Sequence, residues 1–339
     1  MSAPTRTRTV TVILVLVAML ALAVLAGVGF GAVRVGPHEI VSAIGRWISG
    51  VPGPSSDTVI TDIRLPRVLL AGLVGACLAT AGVLYQALFR NPLADPYILG
   101  ISSGAGLGAI GVIVATSAAT GIRYFGVPLG AFVGATLTMA LVVRLATARG
   151  RLEATSLLLA GVAVSYTLAA LTSFVMVMFK ESMTSVVFWM MGGLTSASWS
   201  YVAVIAPMLA IGMVMPLLST RALNVMLLGD ERAAELGVDV ERFKLLILAT
   251  GSLLVAAAVS VSGLIGFVGL MTPHMVRLVL GPDHRVLVPA SALGGAIIMV
   301  TADLVARTVL APVEIPVGIV TALAGGPFFV WLLTREPHR

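Results

Sequence analysis

The sequence predicts an all-α, polytopic membrane protein of about ten transmembrane helices. Two observations carry this. Hydrophobic residues fill 58% of the 339 positions and charged residues 11%, more apolar surface than a water-soluble domain hides. The apolar residues also fall in runs near the ~20 residues that cross a bilayer as a helix. Short stretches rich in Gly, Pro and Arg separate the runs.

The runs place spans at 10–33, 67–89, 96–117, 125–146, 154–178, 201–218, 243–263, 264–280, 286–306 and 315–333, in one transmembrane domain over 1–339. Val10–Val33 exceeds the roughly 7–15-residue core of a signal peptide, so it reads as an uncleaved first span. Val35–Asp62, with Pro37, Pro52, Gly53 and Pro54, reads as the longest outer loop. In Asn91–Pro96 (NPLADP) two prolines each remove a backbone donor, so span 3 begins with a break. Span 3 carries Gly100, Gly104, Gly106, Gly108 and Gly111, small residues that let helices approach closely in lipid. Its GxGxxG-like spacing lacks the strand–turn–helix setting of a phosphate loop. Val186–Thr195 reads as a short outer helix stopped at Gly192–Gly193, with Trp189 at the interface. Spans 7 and 8 are nearly contiguous, and Ser262–Gly263 and Gly266 supply the turn.

Gly82 precedes Pro92 by ten residues, as Gly263 precedes Pro273. Aligning the pairs sets spans 2–5 against spans 7–10, an inverted repeat of the kind transporters use. Arg34, Arg46, Arg64, Arg67, Arg123, Lys180 and Arg307 fall in outer segments, and the other fourteen of the 21 Lys and Arg in inner ones. That bias places both termini in the cytoplasm. The formal charge of +6 is scattered along helix flanks, which excludes a nucleic-acid surface.

Arg221–Lys244 is the main polar interruption of the second half, and is cytoplasmic in this orientation. Gly229 allows a turn, Asp230 is a good N-cap, Glu231 suits the positive end of a helix, and Gly237 is a stop. Between them lies DERAAEL, about two helical turns, too short to stand alone in water. Asp239 caps the following run.

Catalytic chemistry is missing. No phosphate-binding loop or HExxH occurs, and no metal-ligand spacing. His38, His274, His284 and His338 are far apart, and His274 after Pro273 reads as a packed histidine. Cys77 reads as a small packing residue. Asp303 and Arg307 stand i, i+4 near the outer end of span 9, where they can pair. No mid-span carboxylate remains for ion coupling, so the energy source is external. The rival reading is an ion-coupled secondary transporter working without an ATPase.

Several stretches run in order after span 1. They are RLPR (Arg64–Arg67), QALFRNPLADPYILGISSG (Gln86–Gly104), LLLAG (Leu157–Gly161), WMMGG (Trp189–Gly193), LGDERAAELG (Leu228–Gly237), GLIGFVGLMTPHMVR (Gly263–Arg277), DHRVLVP (Asp283–Pro289), ADLVAR (Ala302–Arg307) and EIPVGIVTALAGGPFFVW (Glu314–Trp331). In this combination the chain resembles the FecCD-type permease subunits of ABC importers for iron-siderophores, heme and cobalamin. The resemblance implies ten helices per subunit in the cytoplasmic (inner) membrane. It implies a second permease, copy or paralogue, and a periplasmic or lipid-anchored substrate-binding protein. It also implies two cytoplasmic ABC ATPase subunits, which hold the ATP and Mg, so this chain binds no cofactor and is not an enzyme. The cargo implied is a metal chelate, an iron-siderophore first, heme or cobalamin next.

The resemblance also implies sites. Arg221–Leu227 and Asp230–Leu236 become two short helices seated in the ATPase, with Asn224, Leu228, Gly229, Asp230, Glu231, Arg232, Ala233, Ala234, Glu235, Leu236 and Gly237 as coupling residues. Arg64, Arg67 and Arg307 face acidic residues of the binding protein. Snorkelling to headgroups, or the Asp303 pair for Arg307, fits them as well. Thr155 and Ser156 are cytoplasmic gate residues, or equally a cap on span 5.

Overall fold

The computed structural model describes residues 6–31, 34–116, 120–147, 150 and 152–335. Regular structure among them is helical throughout. In chain order the helices are α1 (Arg6–Gly29), α2 (Pro37–Ser49), α3 (Ser55–Thr58), α4 (Leu65–Phe89), α5 (Ile101–Ala115), α6 (Thr120–Ala146), α7 (Ala154–Met178) and α8 (Met183–Met190). They continue with α9 (Trp199–Leu218), α10 (Thr220–Met226), α11 (Asp230–Glu235), α12 (Val240–Ser262), α13 (Val268–Leu280), α14 (His284–Thr308) and α15 (Val317–Arg335). Seven helical stretches among the described residues are long and apolar enough to cross a membrane, which makes this a multi-pass membrane protein. Shorter apolar helices, α5, α13 and α15, lie where three more spans were expected.

α4 is the hub. From Val74 to Leu88 every side is buried, because α1, α9, α12, α13 and α14 all pack on it. Small residues permit this. A Cβ on Gly75 would overlap the Gly295 carbonyl of α14, and one on Gly82 the Gly269 carbonyl of α13. Tyr85 fills the space on the α12 side, where its hydroxyl lies 3.1 Å from the Ser252 hydroxyl. The glycines of α5 divide by face. Gly104 and Gly108 meet Gly134 and Gly130 of α6, whereas Gly106 and Gly111 have open space where a Cβ would stand.

Both expected breaks are present, and they touch. α4 ends at Arg90 in a left-handed conformation, φ 49°. The chain then turns through Asn91 and Asp95, whose side chains accept from the Leu93 and Tyr97 N–H groups at 2.9 and 2.7 Å. The Tyr97 hydroxyl donates to the Ile265 carbonyl at 3.1 Å, inside the break between α12 and α13. Backbone without helical partners is thereby satisfied inside protein, as a membrane setting demands.

One expectation is corrected. The segment read as a long outer loop is largely helix α2, followed by α3 and a π-helical turn, Val59–Arg64, that runs straight into α4. Pro37 starts α2, where its missing N–H costs nothing, and Glu39 accepts from the Gly36 N–H at 3.0 Å. The π-turn leaves the Thr61 carbonyl for the Trp199 indole N–H at 2.9 Å. The glycines and prolines that suggested the repeat occupy different settings. Gly82 lies within α4 and Gly263 caps α12, while Pro92 follows a helix and Pro273 lies inside one. What the two halves share is element order: a long helix, a break, then a short helix.

Gly82→Ala should lower the unfolding temperature in detergent by several degrees, since overpacking costs about 1–3 kcal/mol. Gly106→Ala should leave it unchanged or raise it, because nothing lies within 4 Å of the added methyl. Thermal unfolding of the two variants side by side checks both.

Candidate functional site

α14 joins two polar clusters about 35 Å apart at 1.5 Å rise per residue. Its N-terminus meets the segment 219–239, and its C-terminus carries Asp303 and Arg307.

At the first end, α10 and α11 form a ledge. Gly229, φ 105°, makes the corner between them, and Gly237, φ 85°, ends α11, backbone regions that L side chains rarely enter. The Gly237 and Val238 N–H groups close the last turn on the Ala234 and Ala233 carbonyls at 2.9 and 3.0 Å. α10 is pinned to α14 through Asn224. Its amide donates to Asp283 at 2.8 Å, and its oxygen accepts from the His284 N–H at 2.9 Å and lies 2.7 Å from the His284 Nδ1. Burial pushes the Asp283 carboxyl up. Bonds from Asn224 and the Arg285 N–H, with the Arg285 and His284 charges, outweigh that and hold it below its ordinary range. Ala233 is buried, the inward face of α11. Leu228, Glu231, Arg232, Ala234, Glu235 and Leu236 point outward, Leu228 and Leu236 being 53% and 62% exposed.

Asp230 does not cap its own helix. Gly229 holds that position, and Asp230 reaches back to Lys244 at 2.6 Å and Arg90 at 3.4 Å. The capping expected of Asp239 is present, its carboxylate accepting from the Arg242 N–H at 3.3 Å. Thr155 and Ser156 lie in the first turn of α7. The N-cap is Glu153, without a side-chain cap bond, so neither hydroxyl caps that helix. Thr155 shares a cavity of ≈ 270 Å³ with Arg90, Asp230 and Lys244.

At the second end the three arginines are not surface cations. Arg64 is buried and donates to the Val28 carbonyl at 2.8 Å. Arg307 is buried, donates to the Gly27 and Phe30 carbonyls, and lies 3.3 Å from Asp303. Both therefore close the C-terminal carbonyls of α1, which have no helical partner. Arg67 bonds Asp303 and Glu314, each at 3.0 Å. The expected docking role needs exposed cations, and burial of Arg64 and Arg307 removes that premise. Arg67, 13% exposed, lines a cavity of ≈ 480 Å³ with Asp303, Glu314, Tyr124, Trp189 and Tyr201. His274 and Cys77 are buried, as their settings implied.

Lys244, Arg90, Glu241 and Glu314 were not singled out by sequence. Lys244 counts there as one more inner-flank cation. Its signal is a lysine in the first turn of an otherwise apolar run, fourteen residues after Asp230 across a glycine stop. Such a lysine needs an anion.

Comparison with known proteins supplies the family. The FecCD transport family matches residues 18–335. The chain is 46% identical over 290 residues to the cobalamin import system permease protein BtuC of Halobacterium salinarum, covering 86% of this chain and 77% of that one. It is 44% identical over 278 residues to the hemin transport system permease protein HmuU of Yersinia pestis, covering 81% and 83%. A solved metal-chelate type ABC transporter in an inward-facing conformation superposes with a TM-score of 0.85 at 31% identity, over 96% of this chain and 99% of that one.

Asp303→Ala should destabilise the protein by about 3–5 kcal/mol, since it takes the anion away from buried Arg307 and leaves Arg67 with Glu314 alone. Glu314→Gln should cost far less, because Glu314 is 42% exposed and water takes its place. Denaturation midpoints in detergent separate the two.

Proposed function

This chain belongs to the FecCD transport family, and from that premise we propose that it is the permease subunit of an ABC importer that carries a metal chelate across the cytoplasmic membrane. Separate ATPase subunits drive it, with a second permease beside it and a substrate-binding protein delivering the cargo. The cargo read first is an iron-siderophore, with heme and cobalamin as the neighbouring possibilities. The observation that carries the coupling role is the α10–α11 ledge. It is rigidly cornered at Gly229, pinned to α14 by Asn224, and presents Leu228 and Leu236 outward beside Glu231, Arg232 and Glu235. Exposed leucines rimmed by charge at a polar end of the bundle suit a protein partner. ATP-driven closure of the ATPase pair would push the ledge and move the permeases between outward- and inward-facing states.

The opposite end is read as the face for the binding protein. After the burial of Arg64 and Arg307, Arg67, paired with Glu314, is the one of the three arginines left to face a partner there. The ion-coupled rival needs a carboxylate free to titrate within the spans. Asp303 is instead held by two arginines.

Glu231→Arg with Glu235→Arg should cut co-purification of the ATPase and reduce uptake by tenfold or more, while leaving detergent stability unchanged because both side chains are exposed. Vesicles of the whole complex should accumulate chelate with ATP and not with an ion gradient alone. Gradient-driven uptake by the permease without ATPase would establish the rival. Native mass spectrometry of the cognate binding protein identifies the chelate.

A further inference from the structure

We propose that Lys244 is the strut that carries movement of α11 to the first turn of α7. This rests on the reading of the α10–α11 ledge as the ATPase contact. Among the described residues, the side-chain bonds that tie α11 to the bundle start from one carboxylate. One Asp230 oxygen faces Arg90, at the end of α4, at 3.4 Å. The other accepts from the Lys244 ammonium at 2.6 Å. The same ammonium donates to the Leu152 carbonyl at 2.9 Å, two residues before α7 begins. Glu241, one turn back on α12, accepts from the Leu152 N–H at 3.0 Å and lies 4.0 Å from Lys244. The peptide groups that lead into α7 are thus held on both sides by side chains of α12, and one of these also holds α11.

The physical case is the stiffness of this link. A lysine stem in water carries much rotamer freedom, but Lys244 is 5% exposed and two of its three donors are committed to Asp230 and Leu152. A charge-assisted bond at this distance is short and strong, and its loss inside protein is costly. Movement of Asp230 therefore either drags Leu152 through Lys244 or leaves a buried lysine without its anion. The cavity of ≈ 270 Å³ beside the strut is lined by Leu88, Arg90, Leu152, Thr155, Asp230 and Lys244. It leaves room for the α7 terminus to shift. Arg90 is a second tether but a looser one. It is 43% exposed and holds α11 to the end of the hub, which gives a fixed pivot against which the strut acts.

The test uses the full complex with its ATPase subunits in nanodiscs and vesicles, with Thr155→Cys as a thiol probe. Cys77 is buried and does not compete for label. In Lys244→Met, ATPase assembly and ATP hydrolysis should stay within about twofold of native. Uptake per ATP should fall at least tenfold, and trapping with ATP and vanadate should no longer change the labelling rate at position 155. Lys244→Arg should restore at least half of both. Asp230→Asn breaks the same link from its half-exposed end and should likewise abolish the labelling change at position 155, so poor accumulation of Lys244→Met leaves the question answerable. Native uptake per ATP with an intact labelling change, in Lys244→Met or in Asp230→Asn, overturns the strut. Cross-linking from Glu235→Cys to the ATPase separates the two failures. If it succeeds while the variants remain coupled, only the strut is wrong. If it fails in a working complex, the ledge reading falls, and the strut with it.

Discussion

Backbone contact along α4 is the constraint on which the structure depends. In lipid there is no hydrophobic force between helices, so association rests on close packing. At Gly75 and Gly82 the hub meets α14 and α13 carbonyl to α-carbon, with no side chain between. That brings five helices around one axis and fixes where each begins and ends. The two helix breaks, at residues 90–100 and 263–267, lie against each other through Tyr97 and Ile265. Pro96 packs on Gly269 at the same place. Non-helical backbone is thereby buried in protein where it would otherwise face lipid.

The same economy explains the arginines of the far end. Arg64 and Arg307 look like surface cations in sequence because both lie where helices meet the outer boundary. In the fold they turn inward onto the carbonyls that end α1. Asp303, Arg67 and Glu314 extend the cluster from buried to exposed. It joins α1, α4, α14 and the segment before α15 into one rigid end. A rigid end suits a face that has to receive a partner in a defined register.

The other polar end holds the ledge. The ledge is anchored twice, by Asn224 to α14 and by Asp230 to α4 and α12. The first tether joins α10 to a helix that packs along the hub, and the second joins α11 to the approach of α7. α7 itself is lightly packed, with Leu159, Tyr166 and Phe174 more than 60% exposed. On the proposed coupling, a push on the ledge would meet a firm body on one side and an exposed helix on the other.

Most of this architecture was legible in sequence. Hydropathy runs located the apolar helices, since length and apolarity are what lipid selects. Gly229, Asp239 and Gly237 marked the ledge, because turns and caps are local chemistry. The i, i+4 pair of Asp303 and Arg307 was readable for the same reason. Pro37 as a helix start was misread as a loop signal, since the same residue serves both. What only the tertiary structure decided is the destination of each charged side chain. Arg64 and Arg307 lie at the ends of their helices, but which carbonyls lie within reach depends on how α1 crosses α4 and α14. Asp230 can cap its own helix or bind Lys244, and in the fold Gly229 takes the cap position and leaves the Asp230 carboxylate to Lys244 and Arg90. Local spacing sets what a residue can do with its neighbours in the chain. Long-range packing determines which partner a side chain of several rotatable bonds finally meets.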